Sequence, residues 1–246
     1  MLTANEIERY QRQIILPQFG EEAQEKLKTA SVLIVGVGGL GSVASLYLVA
    51  AGVGKVGLVD NDVVSLTNLQ RQILYRENEI GKGKTGLAKE TLNRLNSNVK
   101  IEIYPCMLTK ENADVIFKDF DIIIDCTDNF KSRFIINDAC VALGKPFVYG
   151  SISAYSGQVA VFNQNENAAT YRCLFPCECQ IADMENPNKG VMGVLPAITA
   201  SIEVNEALKL ITGVGKGLYN RLLLINIFNN EFQTLDIEPL RNRNNE

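Results

Sequence analysis

The chain has 246 residues, of which 46% are hydrophobic and 21% charged, ordinary values for a globular protein with a sizeable core. Its net charge of -4, from 24 basic and 28 acidic residues, gives no electrostatic footprint for a nucleic acid. It contains no histidine, which excludes an imidazole base, a Ser-His pair and a histidine metal ligand.

No apolar run reaches the ~20 residues that a membrane helix needs, and the polar opening from Met1 to Arg12 does not resemble a secretory signal. A cytoplasmic protein is therefore expected. Internal repeats and Pro/Ser-rich linkers are lacking, so 1–246 reads as one domain. It opens with a charged, amphipathic helical arm, Asn5 to Lys28, within residues 1–29. Ser31 to Val35 is a short β-branched run typical of a buried strand. Glycines follow, then a small, apolar helix from Leu40 to Ala51. Lys55 to Asp60 reads as a second strand ending on an acid. Gly83 to Asn96 has helical spacing, with Leu87, Leu92 and Leu95 on one face. Lys100 to Tyr104 reads as a strand, Lys110 to Phe117 as a helix, and Asp121 to Asp125 as a strand. Phe130 to Leu143 follows as a helix and Pro146 to Ser151 as a strand. This alternation predicts a Rossmann-like α/β fold, a mostly parallel sheet with helices on both faces. The rhythm then changes. Gln158 to Phe162 reads as a strand, 163–190 as a long polar, mobile loop, Val191 to Ile211 as a helix, and Arg221 to Asp236 as two closing strands. An antiparallel C-terminal extension is expected.

Gly36-Val-Gly-Gly-Leu-Gly41 lies between the first strand and its helix. Gly36 permits a tight turn, Gly38 and Gly39 let backbone approach phosphate, and Gly41 lets helix and strand pack closely. The helix start then offers unpaired N–H groups to an anion. Asp60, with Asp62 beyond it, closes the second strand, where an acid can accept bonds from a ribose hydroxyl. Alone, this turn suits NAD or FAD as readily as ATP. Further residues favour a triphosphate. Asn68, Arg71 and Gln72 follow the second strand, and Lys84 stands at a helix start. Arginine can fork onto phosphate oxygens and lysine supplies a compact charge. In Asp125-Cys-Thr-Asp128-Asn129, an acid at a strand end can hold Mg²⁺ through oxygen. Asp128 is preferred to Asp125 because it lies further into the presumed crevice.

Together these pieces resemble the ThiF/MoeB/HesA adenylyltransferases, relatives of the ubiquitin-activating enzymes. The resemblance rests on Arg9 to Leu16, Gly36 to Gly41, Ser65 to Gln72, Asp125 to Asn129, Tyr171 to Leu174, Gly190-Val191 and Glu203 to Gly213, so it spans nearly the whole chain. It implies a homodimer that uses Mg-ATP to adenylate the C-terminal glycine of a ubiquitin-like sulfur carrier, for thiamine or molybdopterin synthesis. Asp60 then binds ribose, and Asn68, Arg71 and Lys84 the triphosphate region. Asp128 holds Mg²⁺, and Arg12 reaches the phosphates of the opposite subunit. An already ionised carboxylate needs no general base, so the lack of histidine is harmless.

The chain departs from the family in two places. Many relatives bind structural zinc through two Cys-x-x-Cys pairs, whereas Thr170 precedes Cys173 here and Arg241 to Glu246 has no cysteine. Zinc is therefore not expected, although Cys173, Cys177 and Cys179 are closely spaced. Some relatives also carry a cysteine before the Gly-Val that can link covalently to the carrier. Here that position is Asn186, leaving Cys177 or Cys179 as substitutes. Three other readings compete. They are an NAD-dependent oxidoreductase, a non-catalytic scaffold, and a family member acting on a peptide or modified transfer RNA.

Overall fold

A computed structural model of the chain describes residues 1–176 and 190–240. Cys177, Cys179, Asn186, Pro187 and Arg241 to Glu246 lie outside the described residues. The helical arm consists of two helices, α1 (Ala4–Ile14) and α2 (Gly20–Thr29). Pro17 lies between them, and Gln18 and Gly20 take positive φ values of 68° and 64°, so the helical path cannot continue. Thr3 and Glu6 form a capping box at the start of α1. Buried Glu6 also pairs with Lys28 at 2.8 Å, and Asn96 donates to Tyr10 Oη at 2.8 Å. The first joins the two arm helices, and the second holds the arm to the body.

The body alternates as expected: β1 (Ser31–Val35), α3 (Gly39–Ala51), β2 (Lys55–Val59), α4 (Lys84–Leu95), β3 (Lys100–Tyr104), α5 (Lys110–Phe117), β4 (Ile122–Asp125), α6 (Phe130–Leu143), β5 (Phe147–Ser153), β6 (Ser156–Phe162), α7 (Leu195–Thr212), β7 (Arg221–Asn226) and β8 (Glu231–Asp236). One sheet runs β3-β2-β1-β4-β5-β6-β7-β8. It is parallel through β5 and antiparallel from β6 onward. Side-chain alternation divides the core. Val32 and Ile34 face α3, α4 and α7, while Leu33 and Val35 face α5 and α6.

Three local expectations need correction. Helix α7 starts at Leu195, because Val191 is occupied in a bridge to Ala154 and Pro196 stands in the first helical turn. In α4, Leu92 is fully buried but Leu95 is 39% exposed, since the helix ends there and turns outward. The described part of 163–190 is not uniformly exposed either. Ala169 and Tyr171 are fully buried, and Arg172 makes a forked pair with Asp138 of α6 at 2.7 and 2.8 Å. Among the described residues no helix is long and apolar enough to cross a membrane.

The order β2-β1-β4 reverses direction between β1 and β4. In open α/β sheets this switch point opens a crevice at the carboxyl ends of the strands, and the glycine turn lies there.

Candidate active site

A cleft of about 870 Å³ occupies the switch point. The glycine turn forms one wall. Gly36 has φ +90°, and a Cβ there would lie 2.7 Å from the Cys126 carbonyl oxygen. At Gly41 a Cβ would lie 1.9 Å from the Gly36 carbonyl oxygen, so only glycine permits this closeness of turn and helix. The first residues of α3 have no side-chain cap, leaving backbone N–H groups facing the cleft. Tyr75 holds the turn from behind, its hydroxyl donating to the Val37 carbonyl at 2.8 Å. Burial, with Asp60, Glu79 and Asp62 nearby, pushes that phenol far above its ordinary range, so it stays a donor.

Asp60 follows β2 directly. Its Oδ2 accepts from Val37 N–H at 2.7 Å and its Oδ1 from Asp62 N–H at 2.8 Å, tying the turn to the strand end. A carboxylate has about four acceptor sites, so capacity remains for a ligand hydroxyl. Asp62 pairs with Lys84 at 3.0 Å, across an end exposed at 64% and a side chain only 5% exposed. Lys84 opens α4, and its own N–H donates to the Asp62 carbonyl at 3.0 Å. This doubled contact points the ammonium into the cleft.

Asn68 ends a short 3₁₀ turn and accepts from Ser65 N–H. Arg71 is half-buried, with Nη1 donating to the Thr67 carbonyl at 3.0 Å. Its stem lies beside the space above Gly39. Gln72 is buried and its Oε1 has no hydrogen-bond partner among the described residues. Asp128 and Asn129 stand exposed on the opposite lip, with Asn129 capping α6 through a bond from Ser132 N–H at 2.9 Å.

The cleft thus gathers Gly36, Gly38, Gly39, Asp60, Asp62, Asn68, Arg71, Gln72, Lys84, Asp128 and Asn129. Gly41 lies behind the wall and acts through packing. Arg12 does not line the cleft of its own chain. It sits exposed in the last turn of α1, with no hydrogen bond or ion pair among the described residues. Asp125, the alternative to Asp128, points inward and is fully buried.

The sequence reading missed several lining residues, among them Asn61, Thr127, Lys110 and Lys131. The last two open α5 and α6, just beyond the carboxyl ends of β3 and β4. The strand-end rule that picked out Asp60 points to them as well. Cys126 also lines the cleft, but burial, Glu203 and Asp125 push its thiol well above the ordinary range. It is thus held as an unreactive thiol.

A cleft with this donor set suits a magnesium nucleotide. Cationic Arg71 and Lys84 face it from one side and the carboxylate of Asp128 from the other. Zinc has a different requirement. Among the described residues no group of three or more Cys, His, Asp or Glu is placed to hold a metal. Cys173 Sγ accepts from Thr170 N–H at 3.3 Å and Leu240 N–H at 3.4 Å.

A family model described as the ThiF family matches residues 10–246. The chain is similar to the sulfur carrier protein adenylyltransferase of Thermus thermophilus. The two are 46% identical over 240 residues, covering 96% of this chain and 89% of that one. It is also similar to the adenylyltransferase and sulfurtransferase MOCS3 of Culex quinquefasciatus, at 43% identity over 237 residues. That match covers 96% of this chain and 54% of MOCS3, so the chain spans about half of that relative. Among solved structures, the selenomethionine crystal structure of PaaA superposes with a TM-score of 0.83 at 26% identity, covering 97% of this chain and 76% of that one. The chain belongs to the ThiF family and is an enzyme of its adenylyltransferase group.

Proposed function

We propose that this enzyme uses Mg-ATP to adenylate the C-terminal glycine of a small ubiquitin-like sulfur carrier ending in Gly-Gly. One observation carries the reading: Arg71, Lys84, Asp60 and Asp128 converge on a single cleft whose wall is the glycine turn. The 46% identity to a sulfur carrier protein adenylyltransferase supports the choice of substrate.

Backbone N–H groups at the start of α3 receive phosphate oxygens, and Asp60 accepts from the ribose. Asn68, Arg71, Gln72 and Lys84 orient the triphosphate. Asp128 holds Mg²⁺, which when bound offsets charge on the phosphate oxygens. The carrier carboxylate, already ionised, attacks the α-phosphorus. The bond to the bridging oxygen breaks, and pyrophosphate leaves with that electron pair. No proton moves, so the chemistry needs alignment and charge neutralisation, which the cations supply. Arg12 completes the site from a second copy, giving a homodimer. The exposed side chains of Ile15 and Leu16 beside it, 64% and 54% exposed, form part of the face that copy covers. Carriers of thiamine and of molybdopterin synthesis both fit this chemistry.

The test is ATP–pyrophosphate exchange with a Gly-Gly carrier, a short peptide acid and transfer RNA offered separately. Exchange that depends on the carrier and is lost when its last glycine is removed is expected. Exchange driven by the peptide or the transfer RNA in its place would reassign the substrate.

A further inference from the structure

Asp128 is held weakly by its own side chain: its one hydrogen bond among the described residues comes from Asn129 Nδ2 at 3.4 Å. Its neighbour Thr127 is gripped on both sides. Asp125 Oδ1 accepts from Thr127 N–H at 3.0 Å and from Thr127 Oγ–H at 2.7 Å. The Thr127 carbonyl accepts from Arg133 Nη2 at 3.0 Å. This carbonyl belongs to the peptide unit that leads into Asp128.

The two gripping residues are themselves buried. The Asp125 side chain is 0% exposed and that of Arg133 7%, and Arg133 Nε lies 3.9 Å from Asp125 Oδ2. The guanidinium packs against the rings of Phe130 and Tyr149, at 5.4 and 5.5 Å from their centroids. Among the described residues neither Arg133 Nε nor Asp125 Oδ2 has a hydrogen-bond partner, so opposite charge and packing hold the pair together. A buried pair of this kind costs desolvation, and its geometry is most simply explained by what it grips. Arg133 reaches Thr127 from α6, six residues along the chain, while Asp125 reaches it from the end of β4.

We infer that Asp125, Thr127 and Arg133 form a positioning clamp that sets the backbone of Asp128, and with it the affinity of the site for Mg²⁺. Asp125 and Arg133 lie buried behind the cleft, and of the three only Thr127 lines it. This inference rests on the reading of Asp128 as the magnesium-holding acid.

The test measures, in the full chain, the Mg²⁺ concentration for half-maximal ATP–pyrophosphate exchange and, by calorimetry, that for half-maximal ATP binding. Thr127→Val removes one of the two bonds to Asp125 while keeping the shape of the side chain. It is expected to raise the requirement by about tenfold, the ratio that one charge-assisted hydrogen bond supplies. The maximal rate at saturating Mg²⁺ should change far less. Thr127→Ser keeps the donor and should restore the wild-type requirement. Arg133→Lys keeps the charge but loses the Nη2 bond to the Thr127 carbonyl, and should raise the requirement with the fold intact by circular dichroism. Asp128→Ala, read by calorimetric ATP binding against Mg²⁺ concentration, separates the two ideas. If its Mg²⁺ dependence matches wild type, the reading of Asp128 falls. If it is shifted while Thr127→Val and Arg133→Lys keep the wild-type requirement, the clamp is overturned.

Discussion

Lys84→Ala is expected to lower carrier-dependent ATP–pyrophosphate exchange by roughly 30- to 1000-fold, about 2–4 kcal/mol of transition-state stabilisation. Two features of the fold set this size. The side chain is 5% exposed, so its charge acts in a cleft poor in competing water, where electrostatic stabilisation is strongest. Its placement is also fixed in advance by α4 and by Asp62, so no reorganisation is needed at the moment of reaction. Its removal leaves Asp62 64% exposed and free to be hydrated, which keeps the folding cost small. Arg71→Ala should produce a loss of the same order, through the other cation on that wall. Lys82, two residues before Lys84 and outside the cleft, serves as the control. Lys82→Ala should exchange at the wild-type rate. Exchange undiminished in Lys84→Ala and Arg71→Ala would remove both residues from the triphosphate site.

The second large effect concerns Arg12. Arg12→Ala should be inactive alone, although it lies on the surface of its own chain and outside its own cleft. Asp128→Ala should be inactive for a different reason, within the cleft. If Arg12 acts across a twofold interface, subunits mixed from the two variants build some dimers with one intact site. That site takes Arg12 from one subunit and Asp128 from the other. Random pairing should return about a quarter of the wild-type rate. Recovery after subunit exchange, measured against each variant alone, checks this. A mixture as inactive as its parts would place Arg12 outside the neighbouring site.

Much of the fold was legible because the central parallel strands β1, β2 and β4 are buried on both faces. Ser31 to Val35 and Lys100 to Tyr104 read directly as strands, and Phe130 to Leu143 as a helix, since each lies between clear turn signals. In the arm the helical reading holds, with Pro17 and the positive φ of Gln18 dividing it in two. The errors came where local signals competed. The apolar stretch from Val191 reads as helix, yet Gly193 is pressed against the Gln70 carbonyl and Val191 bridges to Ala154. Both are contacts distant in sequence.

The cleft was legible to a similar extent. Glycine spacing and strand-end acids depend on local backbone geometry, so Gly36, Gly38 and Asp60 could be placed from their neighbours alone. Between the two acids the residues alone offered only depth in the presumed crevice; the structure leaves Asp128 exposed on the lip and turns Asp125 inward toward Arg133. Burial of Arg133 and Glu203 was not legible. Charged residues on helices usually face water, and only the packed structure sets these two against β4 and β5. Glu203 illustrates the point: its carboxyl fills the space above Gly150, and burial pushes it well above the usual carboxylate range.

Calorimetric titration of the wild-type chain with ATP and with NAD⁺, each with and without Mg²⁺, tests the nature of this cleft most directly. The account predicts saturable, magnesium-dependent ATP binding that weakens in Lys84→Ala and Asp128→Ala, and no heat from NAD⁺. Tight binding of NAD⁺, or ATP binding indifferent to magnesium and to both substitutions, would contradict it.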